Sequence, residues 1–467
     1  MKITNIQIEN YRSIANIDIK INHITALIGQ KNAGGRSIMT AINLFFTDQT
    51  LKIDDFYEMN KNLEIKITAT FIQPEEDNGK LLSPCINKNN VTFQKRCYFE
   101  NGTIQTEIRL FNHTLNTYKV IDTGEWKNIL HTDMPDIIYI PAVVDTTKRS
   151  ENSSRALFAK IFSQFIEVNE TPYMDYKEVL QGNDSNDMID KINKDFGKVL
   201  TKAIDIEFNT GAEIDLTNIL GKSTNIFLIE EPDLYVHPLM HRSLMTIFNK
   251  MPIQNQIIFS TNSPDFFDLL DYQNMVLVKK SLNSTYIQQI RDEIFNEEEK
   301  QNFAQLLKFN SYNRDLFFTR KVILVEELND MTVLNSLIFD ELLLEIKDVD
   351  FGELNFSINV CGGKPGIKYW EKILNEMDIK YAVVLNDQIN DKDSDNRMLN
   401  NEIKILCNNN WYWCFLPDHE TELRVFRHEK TGKSNIISDP FKYYNEFAVS
   451  NVRFKETLYE ILEWIIN

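Results

Sequence analysis

Residues 23–46 read HITALIGQKNAGGRSIMTAINLFF. A short apolar run meets a glycine-containing polar loop, and the loop passes into apolar residues at helical spacing. A strand, a glycine loop and a helix in that order form the layout of a phosphate-binding loop. In such a loop the backbone N–H groups and the positive end of the next helix hold the anion, and a lysine adds charge at the β- and γ-phosphates. The usual spacing is G-x-x-x-x-G-K-[ST]. Counted from Gly29, Gly34 takes the second glycine position, but Gly35 stands where the lysine belongs and Arg36 where the Ser or Thr belongs. A shift of one residue makes Arg36 the cation and Ser37 the magnesium hydroxyl. Arginine is a longer, planar donor and not a neutral replacement for lysine.

Outward from this loop, the 467 residues predict two or three domains, and a hydrophobic content of 43% is ample for their cores. The formal charge of −18 excludes a wholesale polyanion binder, because a phosphate backbone is held through Lys and Arg. Any nucleic-acid contact is therefore expected to be local. Cys85, Cys97, Cys361, Cys407 and Cys414 include no C-x-x-C pair, and no secretory pattern is seen near the N-terminus. No apolar run approaches the roughly 18 residues that span a membrane. A soluble, cytoplasmic chain without membrane contact is the expectation.

The opening MKITNIQIENYRSIANIDIKINHITALIG alternates in three strand-like runs ahead of the loop. NLEIKITATFI, NNVTFQKRCYF and TIQTEIRLF predict an antiparallel sheet beside the nucleotide fold, and DIIYIPAVV a buried strand. A polar stretch at about 150–205 reads as a helical or dimer-forming insertion. NIFLIEEPDLYVHP and NQIIFSTNSPDFFD add two strands ending in polar groups. Near residue 320 the strand-turn-helix pattern restarts with KVILVEELNDMTVL. FSINVCGG, YAVVLNDQ and WYWCFLPDHE supply further strands, interleaved with helical PGIKYWEKILNEM and DSDNRMLNNEIKILCN. The expected fold is α/β in two domains, 1–315 and 316–467.

Two pairs of acids carry the chemistry. Glu230 stands where a magnesium-side carboxylate belongs, and Glu231 where a general base would hold water. Adjacent acids at the end of an apolar strand are costly unless a metal or substrate uses them. Glu326 ends a second apolar strand and Asp330 follows four residues on, a spacing at which two acids can converge on one divalent ion.

ITNIQIENYRSI, LIGQKNAGG, IDDF, IYIPA, LIEEPDLYVHP and FSTNSP, in this order, resemble the ABC-type ATPase half of the OLD family of ATPase–TOPRIM nucleases, relatives of RecF and SMC proteins. The resemblance implies an ABC-type P-loop ATPase domain followed by a TOPRIM domain. It implies nucleotide-binding positions at Gly29, Asn32, Gly34, Gly35, Arg36, Ser37, Glu230, Glu231 and Asn262. The family loop reads G-x-N-x-x-G-K-S and its last strand ends in T-H-S-P, so Gly35, Arg36 and Asn262 are departures. The ABC signature is reduced to NTGAEIDLTNIL, with Thr210 and Gly211 as a relic. Three linked losses imply a domain that binds ATP weakly or acts as scaffold and sensor.

In the TOPRIM half the resemblance makes Glu326 and Asp330 the E-G-x-x-[DE] pair, with Glu327 in place of the glycine. D-x-D falls on Asn386, Asp387 and Gln388; shifted by one, Asp387 is the first acid and Asp391 the second. LPDHETEL matches the D-x-E segment with Asp418 and Glu420, Glu422 being a spare. The family's late lysine falls on Lys433 or Lys442. The implied metal set is Glu326, Asp330, Asp387, Asp418 and Glu420, holding Mg²⁺, Mn²⁺ or Ca²⁺, with Glu326, Asp330, Asp387, Glu420 and Lys433 catalytic.

The resemblance further implies a DNA endonuclease of anti-phage defence. It is expected to dimerise through the ATPase half and to be controlled by a partner, either a helicase-like protein or a retron reverse transcriptase with its RNA–DNA hybrid. Two rivals stand beside it: a working DNA-end ATPase, and a non-catalytic binding protein with both sites decayed. Among smaller features, His237 and His241 at i, i+4 read as packing residues, and WYWCF as core. Lys364 after Cys361-Gly362-Gly363 touches phosphate or caps a turn. Arg12 faces nucleotide or is a surface arginine.

Overall fold

The computed structural model describes residues 1–72, 89–142, 224–234, 241–251, 253–266, 269–290, 293–309, 315–328, 330–332, 334–335, 338, 355–386, 394–407, 411–415 and 460–466. They form two compact units, Met1–Asp268 with Asn274–Ile287, and Leu269–Gln273 with Gln288–Asn467. The expected insertion at 150–205 and the signature relic Thr210-Gly211 lie outside the described residues.

The first unit is built on one twelve-stranded sheet. Its strands are β1 (Lys2–Tyr11), β2 (Ile14–Lys20), β3 (Ile24–Gly29), β4 (Ile65–Ile72), β5 (Asn90–Glu100), β6 (Thr103–Asn112), β7 (Thr117–Ile121), β8 (Asp136–Ile140), β9 (Asn225–Glu230), β10 (Gln256–Thr261), β11 (Met275–Ser281) and β12 (Ser284–Gln289). Their spatial order is β7-β6-β5-β4-β1-β2-β12-β11-β3-β10-β9-β8. β8 to β11 pair with β3 and one another in parallel, and β1, β2 and β4 to β7 make an antiparallel wing. The sequence explains the split. ITALIG and NIFLIE are buried at all six positions, as strands covered on both faces must be, whereas IANIDIK alternates between buried and exposed.

Helix α1 (Gly35–Phe46) follows the glycine loop and buries Ile38, Met39, Ala41, Ile42, Leu44, Phe45 and Phe46. Phe45 and Phe46 join Phe71, Phe93 and Trp126 in an aromatic cluster with centroid separations of 5.1 Å to 6.2 Å. The wing thus grips the far end of the loop helix. Lys95 of β5 reinforces the grip, its buried ammonium donating to the carbonyls of Leu44 and Thr47 at 2.8 Å and 2.6 Å. These are carbonyls that a helix C-terminus leaves without internal partners.

The second unit contains a parallel sheet of order β14-β13-β15-β16, formed by β13 (Lys321–Val325), β14 (Phe356–Val360), β15 (Lys380–Asn386) and β16 (Trp411–Phe415). Val325 is in register with Val360 on one side and Val384 on the other, and Asn386 with Phe415. The helix Lys364–Glu376 buries Ile367, Tyr369, Trp370, Ile373 and Leu374. The unit begins ahead of the expected division at 315/316. Phe295 and Phe303 pack against Tyr369, Phe303 also lies 5.4 Å from Trp370, Tyr272 packs on Phe295 and Phe303, and Lys372 pairs with Glu299 at 2.7 Å. These contacts draw the helix Glu297–Phe309 into the second unit.

Candidate functional site

At the C-terminal end of β3 the chain turns through Gly29 to Gly34 into α1. The close neighbours of these glycines decide which are structural. A Cβ on Gly29 would lie 2.3 Å from the carbonyl oxygen of Val278, and one on Gly34 would lie 2.1 Å from Thr285 Oγ1. Gly34 also has φ +120°, a conformation that L side chains rarely adopt. Gly35 is different, because a Cβ there would meet only Ser260 Cβ at 3.7 Å. The lysine is therefore missing from a position with room for a side chain. Asn32 is exposed in the turn, with φ 67°.

β9 ends on Glu230, whose side chain is buried. The Tyr139 hydroxyl donates to one carboxylate oxygen, the Ala142 N–H to the other at 2.9 Å, and Arg36 Nε lies 3.6 Å from that second oxygen. Burial and the bond to Glu230 push the Tyr139 phenol well above its ordinary range. Arg36 thus turns its charge toward Glu230. Ser37 Oγ is 3.3 Å from Ser13 Oγ, which lies 2.8 Å from the Thr285 hydroxyl.

Glu231 occupies the left-handed region at φ 45°, and its N–H donates to the Ser260 carbonyl at 2.9 Å. Asn262 Nδ2 donates to Glu231 Oε1 at 3.1 Å. Burial, with Asp233 and Glu230 nearby, raises the Glu231 carboxyl, while the Asn262 bond and Lys31 act in the opposite direction. Gly29, Gly34, Arg36, Ser37, Glu230, Glu231 and Asn262 are thus gathered around the ends of β3, β9 and β10. Asn262 supplies one fixed hydrogen bond; an amide cannot exchange a proton as a histidine does. Arg12 bonds Asp55 at 2.9 Å and Thr40 at 3.1 Å, tying the turn after β1 to α1. Tyr139, Ala142, Ser13 and Thr285 were not singled out as site residues from the sequence, although Tyr139 and Ala142 fall in IYIPA and Ser13 in ITNIQIENYRSI, two of the stretches that carry the resemblance.

In the second unit Glu326 directly follows β13 and is half-buried. Its carbonyl accepts the Gly363 N–H at 2.9 Å, and the Val325 carbonyl accepts the Cys361 N–H at 2.9 Å, so the ends of β13 and β14 are locked together. Gly366 is required there, since a Cβ would lie 1.8 Å from the Cys361 carbonyl oxygen. Asp330 Oδ2 accepts the Glu327 N–H at 2.9 Å and holds the turn after Glu326. Burial pushes the Cys361 thiol well up, and Glu326 is among the charges that add to this. Lys364 opens the helix Lys364–Glu376 behind the Gly363 turn.

β15 ends at Asn386. Asp387, Gln388, Asp391, Asp418, Glu420, Glu422, Lys433 and Lys442 lie outside the described residues, and among the described residues no group of three His, Cys, Asp or Glu is placed to hold a metal. His237 is also outside them, and His241 is buried, its ring 5.3 Å from that of Phe266. No helix among the described residues is long and apolar enough to cross a membrane.

Comparison with known proteins matches residues 1–118 to an AAA ATPase domain, 145–312 to a protein of unknown function (DUF2813), and 317–387 to an overcoming lysogenization defect protein-like TOPRIM domain. The chain is 21% identical to an OLD nuclease of Thermus scotoductus over 82% of its own length and 81% of the relative's. It is 23% identical to the Old nuclease of Escherichia phage P2 over 82% and 77%. Among solved structures it is similar to the SMC head domain from Thermotoga maritima, with TM-score 0.36, 12% identity, and coverage of 62% of this chain and 100% of that one. A Pyrococcus furiosus Smc head domain bound to the C-terminal domain of ScpA gives TM-score 0.37 at 11% identity, covering 66% and 99%. The chain thus carries, in order, an AAA ATPase domain and a TOPRIM domain like that of the overcoming lysogenization defect proteins.

Proposed function

We propose that the chain is a divalent-metal-dependent DNA endonuclease whose reaction centre is the C-terminal edge of the β13–β16 sheet. The observation that carries this reading is the position of Glu326. It follows a buried parallel strand, in a turn held by the Gly363 N–H on one side and by Asp330 on the other. Open α/β sheets bind their ligands beyond such strand ends. The chain leaves β15 directly into Asp387 at the register neighbour of β13. The OLD nuclease names of two relatives support the same activity.

The donors suit a hard ion, since carboxylate oxygens favour Mg²⁺ or Mn²⁺. Glu326 would hold it, with Asp387, Asp418 and Glu420 completing the set. Bound there, such an ion would supply Lewis-acid polarisation of a phosphodiester and activation of water. Asp330 keeps the turn in shape through Glu327, and Lys433 or Lys442 would be the late lysine that assists at the scissile phosphate.

The biological setting in this proposal is anti-phage defence. The enzyme is a dimer through its ATPase half and is released by a partner, either a helicase-like protein or a retron reverse transcriptase with its RNA–DNA hybrid. The net charge of −18 supports a protein surface as the main controlling contact. The test is cleavage of supercoiled plasmid in MgCl₂, MnCl₂ or CaCl₂, with and without the product of the neighbouring gene. Wild-type protein is expected to nick or linearise the plasmid and Glu326→Ala to leave it intact. Plasmid left intact by the wild type in every arm overturns the proposal.

A further inference from the structure

Phosphate loops of this layout hold magnesium between a hydroxyl at the helix start and a carboxylate ending a nearby strand. Here these are Ser37 and Glu230, and both are already engaged. The Glu230 side chain is 2% exposed, and its two oxygens accept from the Tyr139 hydroxyl and the Ala142 N–H. A buried carboxylate needs such donors, because its water shell has been removed. Ser37 leans on Ser13, and Ser13 on Thr285, whose hydroxyl is also 2.9 Å from the Ala33 carbonyl oxygen.

Magnesium demands near-ideal octahedral oxygen geometry at about 2.0–2.1 Å and gives up water reluctantly. To reach Glu230 directly it would have to shed water, enter beside the Tyr139 and Ala142 bonds at a side chain that is 2% exposed, and sit next to a guanidinium. Those residues do not fit a resident magnesium ion. The positive charge this carboxylate would otherwise find in the metal is supplied by Arg36 Nε at 3.6 Å.

We infer that the Arg36 guanidinium replaces magnesium as the counter-charge of Glu230, so that the Gly29–Ser37 loop binds a nucleoside triphosphate as the metal-free anion. Arg36 is the residue suited to this, being always charged, planar and half exposed, so that its Nε faces Glu230 while much of the side chain stays open to an anion in solution. The lysine position at Gly35 is vacant but not closed, since its nearest contact for a Cβ is 3.7 Å. The charge has therefore moved by one residue along α1 and serves strand and loop together.

The experiment is equilibrium dialysis of radiolabelled ATP against the full-length protein, in EDTA and in MgCl₂. Wild-type affinity is expected to be the same in both. Arg36→Ala is expected to weaken binding in EDTA by about tenfold and to make what remains depend on MgCl₂. The inference is overturned if wild-type binding requires MgCl₂, if ATP binds in neither buffer, or if Arg36→Ala binds as tightly as wild type in EDTA. Should Arg36→Ala fail to fold, the two wild-type arms decide alone. A negative result here leaves the nuclease proposal at Glu326 standing, because plasmid cleavage is read separately.

Discussion

Both sheets end a buried parallel strand on a glutamate, yet the two carboxylates are treated differently. Glu230, after FLI, is enclosed and supplied with a phenol, an amide N–H and a guanidinium. Glu326, after ILV, is half-buried, and the structure around it goes into fixing its backbone: Gly363 bonds its carbonyl and Asp330 bonds the next N–H. The partners of Glu230 fix its carboxylate, whereas those of the turn at Glu326 fix its main chain. The same residue type at the same topological position thus supports two roles, separated by burial and partners.

Six substitutions in four experiments probe that contrast and the scaffold behind it, beginning with the largest effect. Glu326→Gln is expected to lower plasmid cleavage by about a hundredfold or more, as loss of a charge-stabilising group in an active site does, while Glu231→Gln leaves it within about twofold. Equal losses would erase the distinction between the sites. Next, Gly34→Ala should destabilise the protein by about 1–3 kcal/mol, because it adds a side chain at φ +120° against Thr285. Gly35→Ala should be neutral or stabilising by up to about 1 kcal/mol. Calorimetric melting of both variants separates the obligatory glycine from the permissive one.

Lys95→Met should cost about 1–2 kcal/mol by leaving the Leu44 and Thr47 carbonyls without their donor, measured the same way. The last test concerns pH. Burial pushes Glu371, on the helix Lys364–Glu376, from its ordinary 4.5 up to about 8, and Cys407 donates to it at 3.1 Å. Between these values the unfolded chain releases the proton that the folded chain retains, so stability should fall as pH rises from about 4.5 to about 8. Glu371→Gln should flatten that part of the stability profile; an unchanged slope in urea titrations would remove Glu371 as its source.

Much of this was legible from local pattern. The all-apolar runs ITALIG and NIFLIE announced parallel strands, the glycine spacing announced the loop, and VILVEE announced an acid at a strand end. The strands β11 and β12 were not expected, although MVLVKKS opens with an apolar run like those of β3 and β9. The assignment of the helix Glu297–Phe309 was also missed. EEEKQNFAQLLKF shows an amphipathic helix but not whose core Phe303 enters.

Sequence alone determined the order of strand, loop and helix in each half, and which residue types reach the strand ends, because periodicity and backbone preference act over a few residues. Tertiary structure alone decided what those residues meet. Tyr139 and Ala142 reach Glu230 across 91 and 88 positions of chain, through the β8–β9 pairing that sets Tyr139 opposite Leu228. Hydrogen-bond partners and burial come from that distant pairing, and they make Glu230 a buried anchor.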